Sequence, residues 1–377
     1  MLQELKTSLQ KNLSNLPGWR TRRKIVVIES DDWGAIRMAS GSAYRSLQNA
    51  GVLPFDSDEE RYLSNDALAS GDDLEALFDV LDNVKDCNRR SAVFTAVSLV
   101  ANPDFQKIKE SGYQTYFYEP FTETLKKYPN HSNSFSLWQQ GIQSGVFIPE
   151  FHGREHLNVS SWLRALRAGN EDTLTAFEHG VYGITPRNPI NHVSYQAAFD
   201  IDDLAEINYL KSVLEEGLTL FQQLHGYSAS FFVPTNGPFN NGLEECLDGN
   251  GIKYIGASKI QLEPIGGGQF RRRFHYPGQK NHLGQVYTGR NCVFESSSQL
   301  KSDWVDSCLK EIEIAFTWRK PAVVSTHRVN YIGWLNPKNR DKGLKELSRL
   351  LTTITSKWPD VEFMTSVELG ALIMNNK

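Results

Sequence analysis

The sequence predicts an α/β protein built on a parallel sheet, closed into a barrel or left open. Strand-like and helix-like stretches alternate about seven times along the chain, with no long all-β or all-α region. Hydrophobic residues make up 40% of the 377 positions and charged residues 22%, the balance of a packed globular chain. No internal repeat or low-complexity segment interrupts the alternation.

The first strand is Ile25–Ser30, in the stretch KIVVIESDDWG. Its apolar run ends abruptly in Glu29, Asp31 and Asp32, where turn residues are expected. Successive strand residues face opposite sides, so Asp31 and Asp32 can serve one cleft only if the strand breaks at these acids, which Gly34 permits. Helices follow near Ala43–Ala50 and Asp73–Lys85, the second opened by Ser70-Gly71-Asp72. Ser91–Asn102 is apolar and β-branched, hence a strand. Phe105–Glu110 and Phe135–Gln143 read as helices and Val146–Phe151 as the next strand. Ser160 or Ser161 caps a helix that Gly169 stops.

Ile201–Leu224 is the longest amphipathic run, with Leu204, Ile207, Leu210, Val213 and Leu214 on one face. Strands are expected at Ser228–Pro234, Lys253–Ser258, within VYTGRN, at Pro321–His327 and at Val361–Thr365. Helices are expected around Leu243–Leu247, at Asp303–Phe316, at Leu344–Thr355 and after Ser366. Gly251–Gly289 has no firm assignment. Leu2, Leu5, Leu9 and Leu13 suggest a short amphipathic helix packed on its own domain.

Composition excludes several classes. A formal charge of −4 gives no footprint for nucleic acid, and Arg271-Arg272-Arg273 reads as a solvated loop. No stretch approaches the ~20 apolar residues of a membrane span. The first 20 residues lack the apolar core of a signal peptide, so a cytoplasmic protein is expected. Cys87, Cys246, Cys292 and Cys308 form no C-x-x-C pair and read as core residues of a reducing compartment. No glycine-rich phosphate loop follows a strand.

In a parallel β/α barrel, chemistry sits at the C-terminal ends of the strands. On that predicted rim lie Asp31, Asp32, His152, His156 and His327. Two imidazoles and one carboxylate, with an open fourth place, form a catalytic zinc arrangement. A second carboxylate can take a proton from the attacking water, and a separate histidine can protonate the leaving group. HGREH (His152–His156) also fits the inverted metallopeptidase signature H-x-x-E-H, with Glu155 as base, provided it lies within a helix.

Taken in order, Glu29-Ser30-Asp31-Asp32, His152-Gly-Arg-Glu-His156, Phe232-Val233-Pro234-Thr235-Asn236-Gly237 and Ser325-Thr326-His327 resemble the motifs of the polysaccharide deacetylases. That family is carbohydrate esterase family four, the NodB-homology domain. The resemblance spans about Lys24 to Met364 and marks a divergent member. It implies a distorted (β/α)7 barrel of the glycoside hydrolase/deacetylase type, with residues 1–23 an extension and residues 24–377 one barrel domain with insertions. It implies Asp31 as general base, His327 as general acid, and Asp32, His152 and His156 as ligands of one divalent metal, with zinc expected. The reaction implied is removal of an N- or O-acetyl group from a sugar or glycan.

Val233 stands where the family has an arginine that orients the catalytic aspartate; Arg154 and Arg328 are the candidates to replace it. That gap motivates a rival reading, a glycan-binding protein with weak catalysis. Trp33, Trp162, Trp304 and Trp334 are candidates to stack on sugar rings, with core packing the alternative for each.

Overall fold

The computed structural model describes residues 9–53, 58–301 and 303–375. Its strands are β1 (Lys24–Trp33), β2 (Phe94–Leu99), β3 (Ala101–Pro103), β4 (Tyr118–Pro120), β5 (Phe147–Gly153), β6 (Phe231–Phe232) and β7 (Tyr254–Gly256). They continue with β8 (Ile260–Pro264), β9 (Phe270–Phe274), β10 (Val286–Thr288), β11 (Cys292–Val293), β12 (Ala322–His327) and β13 (Val361–Met364). The main sheet runs β10-β7-β6-β5-β2-β1-β12-β11, with β13 also paired to β1. Every pairing in it is parallel. Helices cover the outside, so the chain forms the expected distorted β/α barrel, open between β10 and β11.

The alternation along β1 organises both core and rim. Val26 and Ile28 pack outward against the helical layer. Ile25 and Val27 pack inward with Val97, Phe231 and Val323. The floor beneath them is the helix Ser366–Asn375, whose Leu369 and Ile373 join that inner cluster. Glu29 and Asp31 continue the inward series. One strand face is therefore apolar at the bottom of the barrel and acidic at the top.

β1 breaks at the two acids, as their sharing one cleft requires. Asp32 itself takes φ 75°, and Gly34 follows at φ 87°. The β1–β2 register shifts between Ser30 and Trp33. Asp32 thus leaves the alternation and joins Asp31 on the cleft side. A Cβ on Gly34 would lie 2.2 Å from the Leu99 carbonyl oxygen. Asn102 fastens this exit by donating to Gly34 O (3.0 Å) and accepting from Ile36 N (2.7 Å). Gly34→Ala is expected to cost more than ~2 kcal/mol in denaturant unfolding, combining left-handed strain with a backbone clash. An unchanged midpoint would show that the turn is not fixed there.

Other differences have local causes. The expected Ser91–Asn102 strand divides where Val100 N and Ala101 N both turn to Arg154 O. Ser228–Pro234 shrinks to β6 because Ser230 N and Phe231 N donate to the Glu150 carboxylate. Burial pushes Glu150 up to about 8 against those two bonds. The helix after β5 is Val159–Arg167, capped by Asn158 rather than by either serine. The long amphipathic run is helical from Glu206 to His225 and ends at left-handed Gly226. The unassigned Gly251–Gly289 segment supplies β7, the β8–β9 hairpin and β10. The basic cluster lies in β9, where Arg271 and Arg273 pair with Glu263. All four cysteines are free, and Cys87 is exposed instead of in the core.

Residues 9–14 are helical, but they meet the barrel through their polar side. Lys11 pairs with Glu311, Asn12 accepts from Trp318 Nε1, and Lys259 Nζ donates to Ser14 Oγ at 2.9 Å. Leu9 and Leu13 remain 60% and 53% exposed, opposite to the packing expected of them. Leu2 and Leu5 lie outside the described residues. Among the described residues no helix is long and apolar enough to cross a membrane.

Candidate active site

A cleft of about 790 Å³ opens at the C-terminal ends of the strands, and Asp31, Asp32, His152, His156 and His327 all line it. Parallel register supplies the first contact. Asp31 on β1 is the direct partner of His327 on β12. His327 Nε2 lies 3.9 Å from Asp31 Oδ2.

His152 is the last residue but one of β5, and the strand gives way to a loop after Gly153, φ 145°. HGREH is therefore strand and loop, which removes the helical setting a metallopeptidase needs. Glu155 is also unsuited to act as base: it is buried, bonded to Arg154 Nε (2.6 Å) and Nη2 (2.9 Å), and does not line the cleft. His152 and His156 still meet, with ring centroids 5.3 Å apart.

Asp32, His152 and His156 form a buried group able to hold a metal ion, their ligand atoms within 4.8 Å of one another. Asp32 Oδ1 is 3.6 Å from His152 Nε2 and 3.3 Å from His156 Nε2. Zinc bonds near ~2.1 Å in a tetrahedron require ligand atoms ~3.4 Å apart, so the spacing fits. His152 Nδ1 donates to Val233 O at 2.7 Å, which fixes the ring with Nε2 facing Asp32. Val233 thus contributes its backbone to the site, while its side chain joins the inner core. His156 Nδ1 is buried without a partner among the described residues. Burial lowers the His156 pKa and favours the neutral, ligating ring. Burial opposes ionisation of Asp32, but the neighbouring imidazoles hold it well below its usual range.

The arginine that meets Asp31 is neither of the expected two. Arg154 is taken by Glu155 and Glu216 on the outer side, against the Tyr118 ring. Arg328 is fully buried, donating to Asp66 Oδ1 (3.0 Å) and Ala35 O (2.7 Å). Arg290, between β10 and β11, grips Asp31 with both terminal nitrogens at 2.6 Å. Its Nε donates to Glu29 Oε2 at 2.6 Å. Ser366 Oγ donates to the other Glu29 oxygen at 2.8 Å. Glu29 and Asp31 share a face of β1, so one guanidinium reaches both. Burial would raise Asp31, but Arg290's charge and hydrogen bonds hold it below the ordinary carboxylate value. The sequence signal for Arg290 was an arginine within the strand-like stretch VYTGRN, one glycine beyond VYT.

Glu295 was also missed. Its Oε1 accepts from His327 Nδ1 at 2.6 Å, and its Oε2 accepts from Arg61 Nη1 (2.9 Å) and Asn330 Nδ2 (3.0 Å). Burial works against the imidazolium, yet Glu295 outweighs it and His327 is raised to about 9. A folded pKa above the ordinary 6.5 means this pair stabilises fully below pH 6.5 and loses that contribution as pH rises through about 9.

None of the four candidate tryptophans lines the cleft among the described residues. Trp33 is buried against Trp138 and Phe147, and Trp162 against Phe105 and Phe177. Trp304 packs in its helix, and Trp334 meets His131.

No protein-family model and no curated protein matches the chain. Solved structures resemble it at low identity. An allantoinase aligns at 10% identity and TM-score 0.47, covering 94% of this chain and 93% of that one. A family 4 acetyl xylan esterase from Clostridium thermocellum, solved with a cobalt ion, aligns at 12% and 0.35, covering 93% and 91%. A 4-alpha-glucanotransferase from Thermococcus litoralis aligns at 12% and 0.47; 93% of this chain is covered, and it spans only 40% of that enzyme.

Proposed function

We propose that the protein is a metal-dependent hydrolase that removes acetyl groups from an acetylated sugar or glycan. One observation carries this reading: a buried Asp32-His152-His156 group able to hold a metal ion lies beside an arginine-clamped Asp31 and a glutamate-bonded His327 in a single cleft. A divalent ion bound there supplies Lewis-acid polarisation of the acyl oxygen and a more acidic water.

The protein's own groups do the rest. Asp32, ionised, and the imidazoles of His152 and His156 would hold the ion. Asp31, kept ionised by Arg290, accepts the proton of the attacking water. His327, kept protonated by Glu295, donates to the departing amine or alcohol. Arg290 fills the orienting place left open at Val233, so the reading as a glycan binder with weak catalysis loses its motive.

The test is acetate release from acetylated amino-sugar oligomers by zinc-loaded protein, with its pH profile. Glu295→Gln removes the charge that raises His327 to about 9. The alkaline limb of activity is expected to move down toward ~6.5, the ordinary histidine value. An alkaline limb unmoved in Glu295→Gln would take the acid role from His327.

A further inference from the structure

We infer that the cleft wall formed by Arg37, Gly183 and Gln196 binds an anionic group of the substrate, carried close to the acyl group that Asp32, His152 and His156 receive. The placement of that acyl group rests on the function proposed above; the anion site rests on its own geometry. All three wall residues line the same cleft as the three metal-ligand candidates.

Two polar groups on this wall make no hydrogen bond among the described residues, although Arg37 keeps two long ion pairs and lies 5.0 Å from the Tyr62 ring centroid. The Arg37 side chain is 13% exposed, and among the described residues its closest carboxylates are beyond hydrogen-bond reach. Nη2 is 3.6 Å from Asp32 Oδ2, and Nε is 3.7 Å from Asp66 Oδ2. Asp32 is one of the metal-ligand candidates, and Asp66 takes Arg328 on Oδ1 at 3.0 Å, while its Oδ2, the oxygen toward Arg37, has no hydrogen bond among the described residues. Gln196 is the second group. Its Nε2 and Oε1 are both buried with no hydrogen-bond partner among the described residues.

The two converge over one glycine. A Cβ on Gly183 would lie 2.1 Å from Gln196 Nε2 and 3.4 Å from Arg37 Nη1. Only a bare Cα leaves the amide and the guanidinium room to flank the same point. A forked guanidinium beside a carboxamide donor matches a carboxylate, which accepts from both at once. The wall's remaining acid, Glu59, accepts from Thr185 Oγ1 at 3.2 Å. A neutral sugar leaves Arg37 with only its long ion pairs to Asp32 and Asp66 and no hydrogen-bond acceptor. The substrate class that satisfies the wall is therefore an acetylated acidic sugar, the anion being a carboxylate or a phosphate.

Isothermal titration of full-length, zinc-loaded protein tests this with three ligands differing in one group. They are N-acetylglucosamine, its C6 uronic acid and its 6-phosphate. One anionic ligand is expected to bind at least about tenfold tighter than the neutral sugar, the effect of one charge-assisted hydrogen bond. Whichever is tighter identifies the anion. Gln196→Glu, which places a carboxylate against Arg37, and Arg37→Gln are each expected to erase the preference. Equal affinity for all three, no measurable binding of either acidic sugar, or a preference that survives Gln196→Glu would overturn the inference. Because binding is read directly, failure of acetate release leaves this result interpretable on its own.

Discussion

Asp32→Ala is expected to lose stoichiometric zinc and to reduce acetate release to background. Asp32 Oδ1 is the atom both imidazoles face, at 3.3 and 3.6 Å, so no ligand set survives its removal. His156→Ala should behave the same way, since it removes one of the three ligand candidates. Asp31→Asn provides the contrast. It keeps the ligand set and is expected to retain zinc while losing activity by ~10²–10⁴, the usual contribution of a positioned base. Metal content and acetate release, measured on the same preparations, separate the two aspartates. An Asp32→Ala protein that still carries one zinc per chain would remove the ligand assignment.

Arg290→Met is expected to be among the most destabilising single changes in the barrel. It leaves Glu29 and Asp31, 1% and 5% exposed, facing each other without their cation. Removing one partner of a buried ion pair costs ~3–5 kcal/mol, because the charge left behind is uncompensated. Adding Glu29→Gln should recover part of the loss, since one of the two stranded charges is then gone. The folded Asp31 pKa lies below its ordinary 3.8, so the clamp contributes fully above pH 3.8 and fades as pH falls through the lower folded value. The stability gap between wild type and Arg290→Met, read from denaturant curves, should therefore narrow in acid. A gap of under ~1 kcal/mol at neutral pH would mean the pair behaves as a surface bridge.

What the sequence made legible follows from where chemistry is local. The run from Ile25 to Asp32 shows a strand turning acidic, and β1 carries both acids to the rim. His152, His156 and His327 stand at strand ends that are readable from apolar runs. Arg290 and Glu295 were not readable in the same way. They flank the two-residue strand β11, too short to leave a pattern, and their partners are more than 30 positions away. Asp32's left-handed backbone could not be read either, since nothing in SDDWG separates a turn at Asp32 from one at Gly34. Trp33 misleads for the same reason. The turn places it behind the strand against Trp138, away from the cleft beside which its sequence position sets it. Glu29, unaccounted for as a strand-end acid, is explained once Arg290 is seen to bridge it to Asp31.

The claim on which all of this depends is that Asp32, His152 and His156 hold one catalytic metal. Anomalous diffraction from zinc-soaked crystals, collected above and below the zinc edge, tests it directly. One strong peak is expected within bonding distance of Asp32 Oδ1, His152 Nε2 and His156 Nε2, lost in Asp32→Ala crystals. No peak there, or a peak held by other residues, would contradict it.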